Sequence, residues 1–193
     1  KDKPKSLIAK QIAIALREEI TDLQNGGIKI IQVDEAAFKE GYPLRTENIK
    51  EYETWAISTF KLAVSSAHKQ TQIHTHMCYS DFEDILDALK AMDADVISIE
   101  NARSNNELLG HFTKTNYEND IGPGVYDIHS PRVPTENEFY NQIQSMMKFF
   151  SPGQLWVNPD CGLKTRNWEQ VKPALENMVR SVQSIRNENT VNV

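Results

Sequence analysis

Gln72-Ile73-His74-Thr75-His76-Met77-Cys78 decides the fold of this chain. It is a short apolar run that reads as a β-strand, and alternate side chains of a strand share a face. His74, His76 and Cys78 therefore point the same way, with His74 deepest. Four further short runs match it: Ile28–Asp34 before it, and Asp95–Glu100, Pro123–Ile128 and Leu155–Asn158 after it. Helical patterns separate them. The first covers Lys5–Gln24 and stops at Gly26-Gly27, a C-terminal signal. Others are expected over Glu47–Ala67, Ser80–Met92, Asn106–Lys114, Glu136–Phe150 and Asn167–Arg186, with a frayed polar tail from Asn187. Ser80-Asp81-Phe82-Glu83 has the spacing of a capping box. Alternating strands and helices with short connections predict an α/β protein with parallel strands and right-handed crossovers. An open doubly wound sheet and part of a (β/α)8 barrel both fit. No Gly-x-Gly-x-x-Gly turn or phosphate loop supports nucleotide binding, and five strands are too few for a complete barrel.

The 193 residues suffice for one domain with a sizeable core. A net charge of -6 argues against a general nucleic-acid binder, which needs a basic stripe to neutralise phosphates. No apolar run reaches the roughly 18 residues of a membrane span, and no signal core follows Lys1-Asp2-Lys3-Pro4-Lys5-Ser6. The cytosol is the expected location. Two cysteines make a disulfide scaffold a poor expectation. The chain opens on a helix without an initiator Met, which reads as a piece of a longer protein.

Polar residues collect at one end of the predicted strands: Asp34, then His76 and Cys78, Glu100, Asp127 and His129, and Asp160 and Cys161. Parallel α/β proteins build their sites at that end. One imidazole (His76), one carboxylate (Glu100) and two thiols (Cys78, Cys161) form a donor set suited to zinc. Each has a plainer explanation alone: a free Cys is often core, and a single His is more often a buried hydrogen-bonding group. His68 and His111 are expected on the surface, and Trp55, Met146, Met147, Phe149 and Phe150 as helix packing.

The strand at 72–79 resembles the zinc-binding strand of the cobalamin-independent methionine synthases. So do Asp95–Glu100, Gly122-Pro123-Gly124-Val125-Tyr126-Asp127-Ile128-His129-Ser130-Pro131 and the stretch from Trp156 to Arg166. Ile31–Glu35 with Glu40-Gly41-Tyr42-Pro43-Leu44-Arg45 matches a further block, although Ala36 stands where the family often has proline. The resemblance covers nearly the whole chain. It implies that residues 1–193 are the C-terminal portion of the zinc-binding catalytic barrel, the last five βα units of a (β/α)8 TIM barrel. The N-terminal barrel and the first three strands of this barrel are then absent, and the expected partner is that remainder.

The implied reaction is zinc-dependent methyl transfer from polyglutamated 5-methyltetrahydrofolate to homocysteine, giving methionine. Carried over by residue, His76, Cys78, Glu100 and Cys161 would hold zinc. Asp34 would grip the homocysteine amino group, Glu40 would contact folate, and His129 would donate a proton. The folate amine is a poor leaving group, so protonation is expected to assist it, and a histidine suits that task near neutral pH. Asp127 or Asp160 would orient His129. Glu100 would be the ligand that homocysteine displaces, because a catalytic zinc needs an open position. Two alternatives compete: a zinc thiol methyltransferase fed by a methyl-cobalamin protein, and a non-catalytic module with structural zinc.

Overall fold

Helix α1 (Lys5–Asn25) ends because Gly27 adopts φ 89°, a conformation that a side chain would oppose. Ile28 N–H then reaches back to the Leu23 carbonyl and Gly27 N–H to that of Gln24, closing the helix end. The computed structural model describes residues 2–35, 37–78, 85–104 and 106–191. After α1 come β1 (Ile30–Gln32), a 3-10 turn (Thr46–Asn48), α2 (Ile49–Val64), β2 (Gln72–Met77) and α3 (Leu86–Met92). They are followed by β3 (Val96–Ile99), α4 (Glu107–Lys114), β4 (Asp120–Pro123), α5 (Glu136–Met146) and α6 (Trp168–Val191). The four strands form one sheet in the order β1-β2-β3-β4, which is the α/β arrangement expected.

The described residues fall into two compact units. One runs up to Met77 and includes 85–97; the other holds Cys78 and the residues from Ser98 onward. In the first, β1 and β2 pair in parallel, with Ile30 opposite Gln72 and Gln32 opposite His74. Hydrogen bonds extend the pairing beyond the three-residue strand, from Gln72 N–H to Lys29 and from Glu35 N–H to His76. Every β2 residue after Gln72 is buried, as expected for a parallel strand covered on both faces. Gln24 at the end of α1 joins helix to sheet: its amide oxygen accepts from His68 N–H and Thr71 Oγ1, and its Nε2 donates to the Ser66 carbonyl.

In the second unit, α5 begins at a capping box. Thr135 Oγ1 accepts from Glu138 N–H, and the Glu138 carboxylate accepts from Thr135 N–H. Phe139, Ile143 and Met146 form its buried face. Ser181 Oγ, on α6, donates to the Glu136 carbonyl, and Tyr140 Oη to Glu188.

Three predicted boundaries need correction. The fourth strand is β4 at Asp120–Pro123, not Pro123–Ile128. The fifth run, Leu155–Asn158, makes only two isolated parallel bridges, Ile121 to Leu155 and Gly124 to Asn158. Asn158 Nδ2 donates to the Gly122 carbonyl, and backbone bonds from Trp156 to Ile121 and from Val125 to Asn158 join this run to its neighbour. The polar tail from Asn187 is helical to Val191; the Tyr140–Glu188 bond ties it to α5. Two expectations, the capping box at Ser80–Glu83 and the start of its helix, lie outside the described residues.

Candidate metal centre

Burial and alternation place His76 at the end of β2, where it is 7% exposed. Cys78 follows two residues later and is half-buried, as is Cys161. The two sulfurs lie 3.9 Å apart. Among the described residues Cys78 and Cys161 are paired in the second unit, and His76, two residues before Cys78 in the chain, completes a three-residue group of possible donors. Two thiolates at tetrahedral angles on one zinc, each about 2.3 Å from it, would sit about 3.8 Å apart. The donor chemistry and the sulfur separation therefore fit zinc.

Cys161 is carried by the 154–160 segment, and the way that segment is held depends on two glycines. A Cβ on Gly124 would lie 2.6 Å from Asp160 Cα and 2.8 Å from its nitrogen, and one on Gly122 would collide with the Asn158 side chain. The absence of those carbons lets Val125 N–H bond to Asn158 and Asp160 N–H to Tyr126, each at 2.9 Å. Asp160 itself is 3% exposed. Its Oδ1 accepts from the backbone N–H groups of Asn101 and Ala102, both at 2.9 Å. Burial raises the Asp160 carboxyl above the usual aspartate value, and those two N–H bonds oppose the rise.

Glu100 follows β3 and is half-buried; it does not belong to the three-residue group. Desolvation lifts its carboxyl above the ordinary glutamate value, and the Asp160 and Asp127 carboxylates push it the same way. His129 and Arg103 pull it down. His129 is exposed, and its backbone N–H donates to Asp127 Oδ1 at 2.9 Å. The other Asp127 oxygen faces Arg103 Nε at 3.5 Å. Asp127 thus joins the His129 backbone to the Arg103 side chain, while Asp160 Oδ1 takes the backbone N–H groups of Asn101 and Ala102.

In the first unit, Asp34 is exposed and accepts from Gln32 Nε2 at 2.8 Å. Glu40 is exposed in the turn that follows. That turn rests on an aromatic cluster of Phe38, Tyr42, Tyr52 and Trp55, which composition did not reveal. Tyr52 Oη donates to the Phe38 carbonyl at 2.6 Å, and a Cβ on Gly41 would collide with that hydroxyl. Burial, with the Glu35 carboxylate, pushes the Tyr52 phenol up to about 12. Glu35 is itself raised by burial. The Asp160 contacts were also missed; the nearest signal was its place beside Cys161.

Residues 1–184 match the family model for the cobalamin-independent synthase catalytic domain. A 5-methyltetrahydropteroyltriglutamate–homocysteine methyltransferase from Desulforamulus reducens is 60% identical over 96% of this chain, and one from Mesorhizobium japonicum is 57% identical. The chain spans 24% of the length of each of these relatives. A B12-independent methionine synthase structure from a Shewanella species, in complex with selenomethionine, superposes with a TM-score of 0.75 at 20% identity. It covers all of this chain and 58% of that one. A putative vitamin-B12 independent methionine synthase from Listeria monocytogenes gives 0.69 at 18% identity, over 92% of this chain and 55% of that one. Both likenesses speak for the fold.

Proposed function

Because this chain belongs to the cobalamin-independent methionine synthase catalytic-domain family, we propose that it is the C-terminal portion of a zinc-binding catalytic barrel. The complete enzyme would transfer a methyl group from polyglutamated 5-methyltetrahydrofolate to homocysteine, forming methionine. The observation that carries this reading is the meeting of Cys78 and Cys161, two thiols 83 residues apart in sequence, with the imidazole of His76 two residues before Cys78 in the chain. With Glu100 as a fourth donor they would hold zinc, which keeps a coordinated thiol ionised at neutral pH.

The remaining roles fall to the chain's own groups. Asp34 is an exposed carboxylate at the end of β1, suited to the homocysteine ammonium. Glu40, on the turn above the aromatic cluster, would contact the folate. His129 is exposed, and its imidazole would serve as the proton donor to the departing folate amine. Glu100 would be the ligand that yields to substrate, because a catalytic zinc needs one position open.

The partner for assembly is the rest of the same enzyme. Ile28 and Ile30 are exposed at the β1 edge, and Leu7, Ile8, Ile12, Ile14 and Leu16 are exposed on α1. An open strand edge beside an apolar helix face is a surface that soluble proteins cover. Among the described residues no helix is long and apolar enough to cross a membrane.

The test uses the full-length polypeptide, assayed for zinc and for methionine formation with polyglutamated 5-methyltetrahydrofolate and, separately, with a methyl-cobalamin protein. About one zinc per chain, lost in Cys161→Ser, with turnover on the folate donor is expected. Turnover on the cobalamin donor alone would replace the folate assignment, and a zinc-loaded protein that binds no homocysteine would make the metal structural.

A further inference from the structure

We propose that Asp160 is a positioning residue of the metal centre, clamping the peptide that follows Glu100 to the residue that precedes Cys161. The proposal rests on the zinc reading above and extends it to a group outside the ligand set. Asp160 is 3% exposed, and burying a carboxylate is costly unless it is well hydrogen-bonded. Its Oδ1 receives two backbone N–H groups, those of Asn101 and Ala102. These are the two residues directly after Glu100, so the carboxylate fixes where the chain leaves β3. Its own N–H is fixed in turn to the Tyr126 carbonyl. Gly124 packs against its backbone so closely that a single added carbon would not fit.

The far side of the clamp is also tied down. Asn101 Nδ2 donates to Asn106 Oδ1 at 2.8 Å, and Asn106 Nδ2 donates to Ser145 Oγ at 3.0 Å, on α5. Cys161 is the next residue, about 3.8 Å along the backbone. One buried side chain therefore links the stems of two proposed ligands that lie 61 residues apart in sequence. Groups that orient metal ligands in this way typically change metal affinity by about 10- to 100-fold when removed.

Asparagine keeps the accepting oxygen and removes the charge, whereas alanine removes both. Zinc affinity of the full-length polypeptide is measured by competition with a chromophoric chelator, beside amide hydrogen exchange at Asn101 and Ala102. Asp160→Ala is expected to weaken zinc by about 10- to 100-fold and to speed exchange at both amides, and Asp160→Asn to stay within about threefold of wild type. Unchanged affinity in Asp160→Ala overturns the clamp, as does an Asp160→Asn loss as large as that of alanine. If the alanine variant does not fold, Asp160→Ser, with one short acceptor, is expected to fall between the two, and unchanged affinity there overturns the clamp equally. A wild-type protein that binds no zinc overturns the metal reading and the clamp together, and that result is visible before any variant is made.

Discussion

Gly124→Ala is the sharpest probe of how this half of the sheet is built. Gly124 does not have positive φ, so its requirement is for space and not for backbone freedom. The new Cβ would stand 2.6 Å from Asp160 Cα and 2.8 Å from its nitrogen. That is roughly 1 Å short of a normal carbon contact of about 3.5–4.0 Å. Asp160 Oδ1 is also in the way and could rotate aside, but Cα and N are backbone, so side-chain rotation alone does not relieve the clash. The 154–160 segment has to withdraw, which strains the Asp160–Tyr126 and Val125–Asn158 hydrogen bonds. Overpacking of this kind costs about 1–3 kcal/mol, and a lost backbone hydrogen bond adds about 1 kcal/mol. A destabilisation of about 2–4 kcal/mol is expected in urea unfolding, with weaker zinc binding because Cys161 moves with its neighbour. Gly110→Ala supplies the control. Gly110 lies in α4 and its added carbon would meet only Phe149 Cε1, at 4.0 Å. That change should stabilise the protein by about 0.5–1 kcal/mol through helix propensity. A Gly124→Ala protein within about 0.5 kcal/mol of wild type would refute the close-approach argument.

Two further outcomes follow from the second unit. Thr135→Ala removes half of the α5 capping box and should cost about 1 kcal/mol, read as a shift in the urea midpoint. Bonds from Thr135 and Arg132 hold the Glu138 carboxyl below the usual glutamate value. A depressed carboxyl stabilises the fold above its unfolded pKa and loses that contribution as pH falls through the folded one. The Thr135→Ala penalty should therefore shrink below the ordinary glutamate range; a penalty constant down to the acid transition would dismiss the coupling. Tyr126 is fully buried, yet among the described residues its hydroxyl has no hydrogen-bond partner. Tyr126→Phe should leave stability unchanged or raise it by about 1 kcal/mol, and a clear loss in thermal unfolding would mean that the hydroxyl has a partner in solution.

Several elements were legible because their causes are local. Gly26-Gly27 ends α1 because one glycine must turn left-handed within a few bonds of the helix. The Thr135–Glu138 box starts α5 at the predicted residue, Glu136. The run at 72–78 forms β2 with His74 and His76 on one face, a consequence of strand periodicity alone. The boundaries that moved were those set by distant residues. Beyond Pro123, where β4 ends, the chain is held by bonds to Ile99 and Asn158, partners 25 and 33 residues away.

By itself the sequence determined the alternation of strands and helices, the donor types available for a metal and the two-residue spacing of His76 and Cys78. It did so because periodicity, capping and turn chemistry act over a few residues. Tertiary structure alone decided that Cys161 comes within 3.9 Å of Cys78 across 83 residues. It also decided that the Asp160 carboxylate meets the backbone N–H groups that follow Glu100. Both outcomes follow from where N–H groups and thiols find partners in space, as the large majority of buried polar groups do.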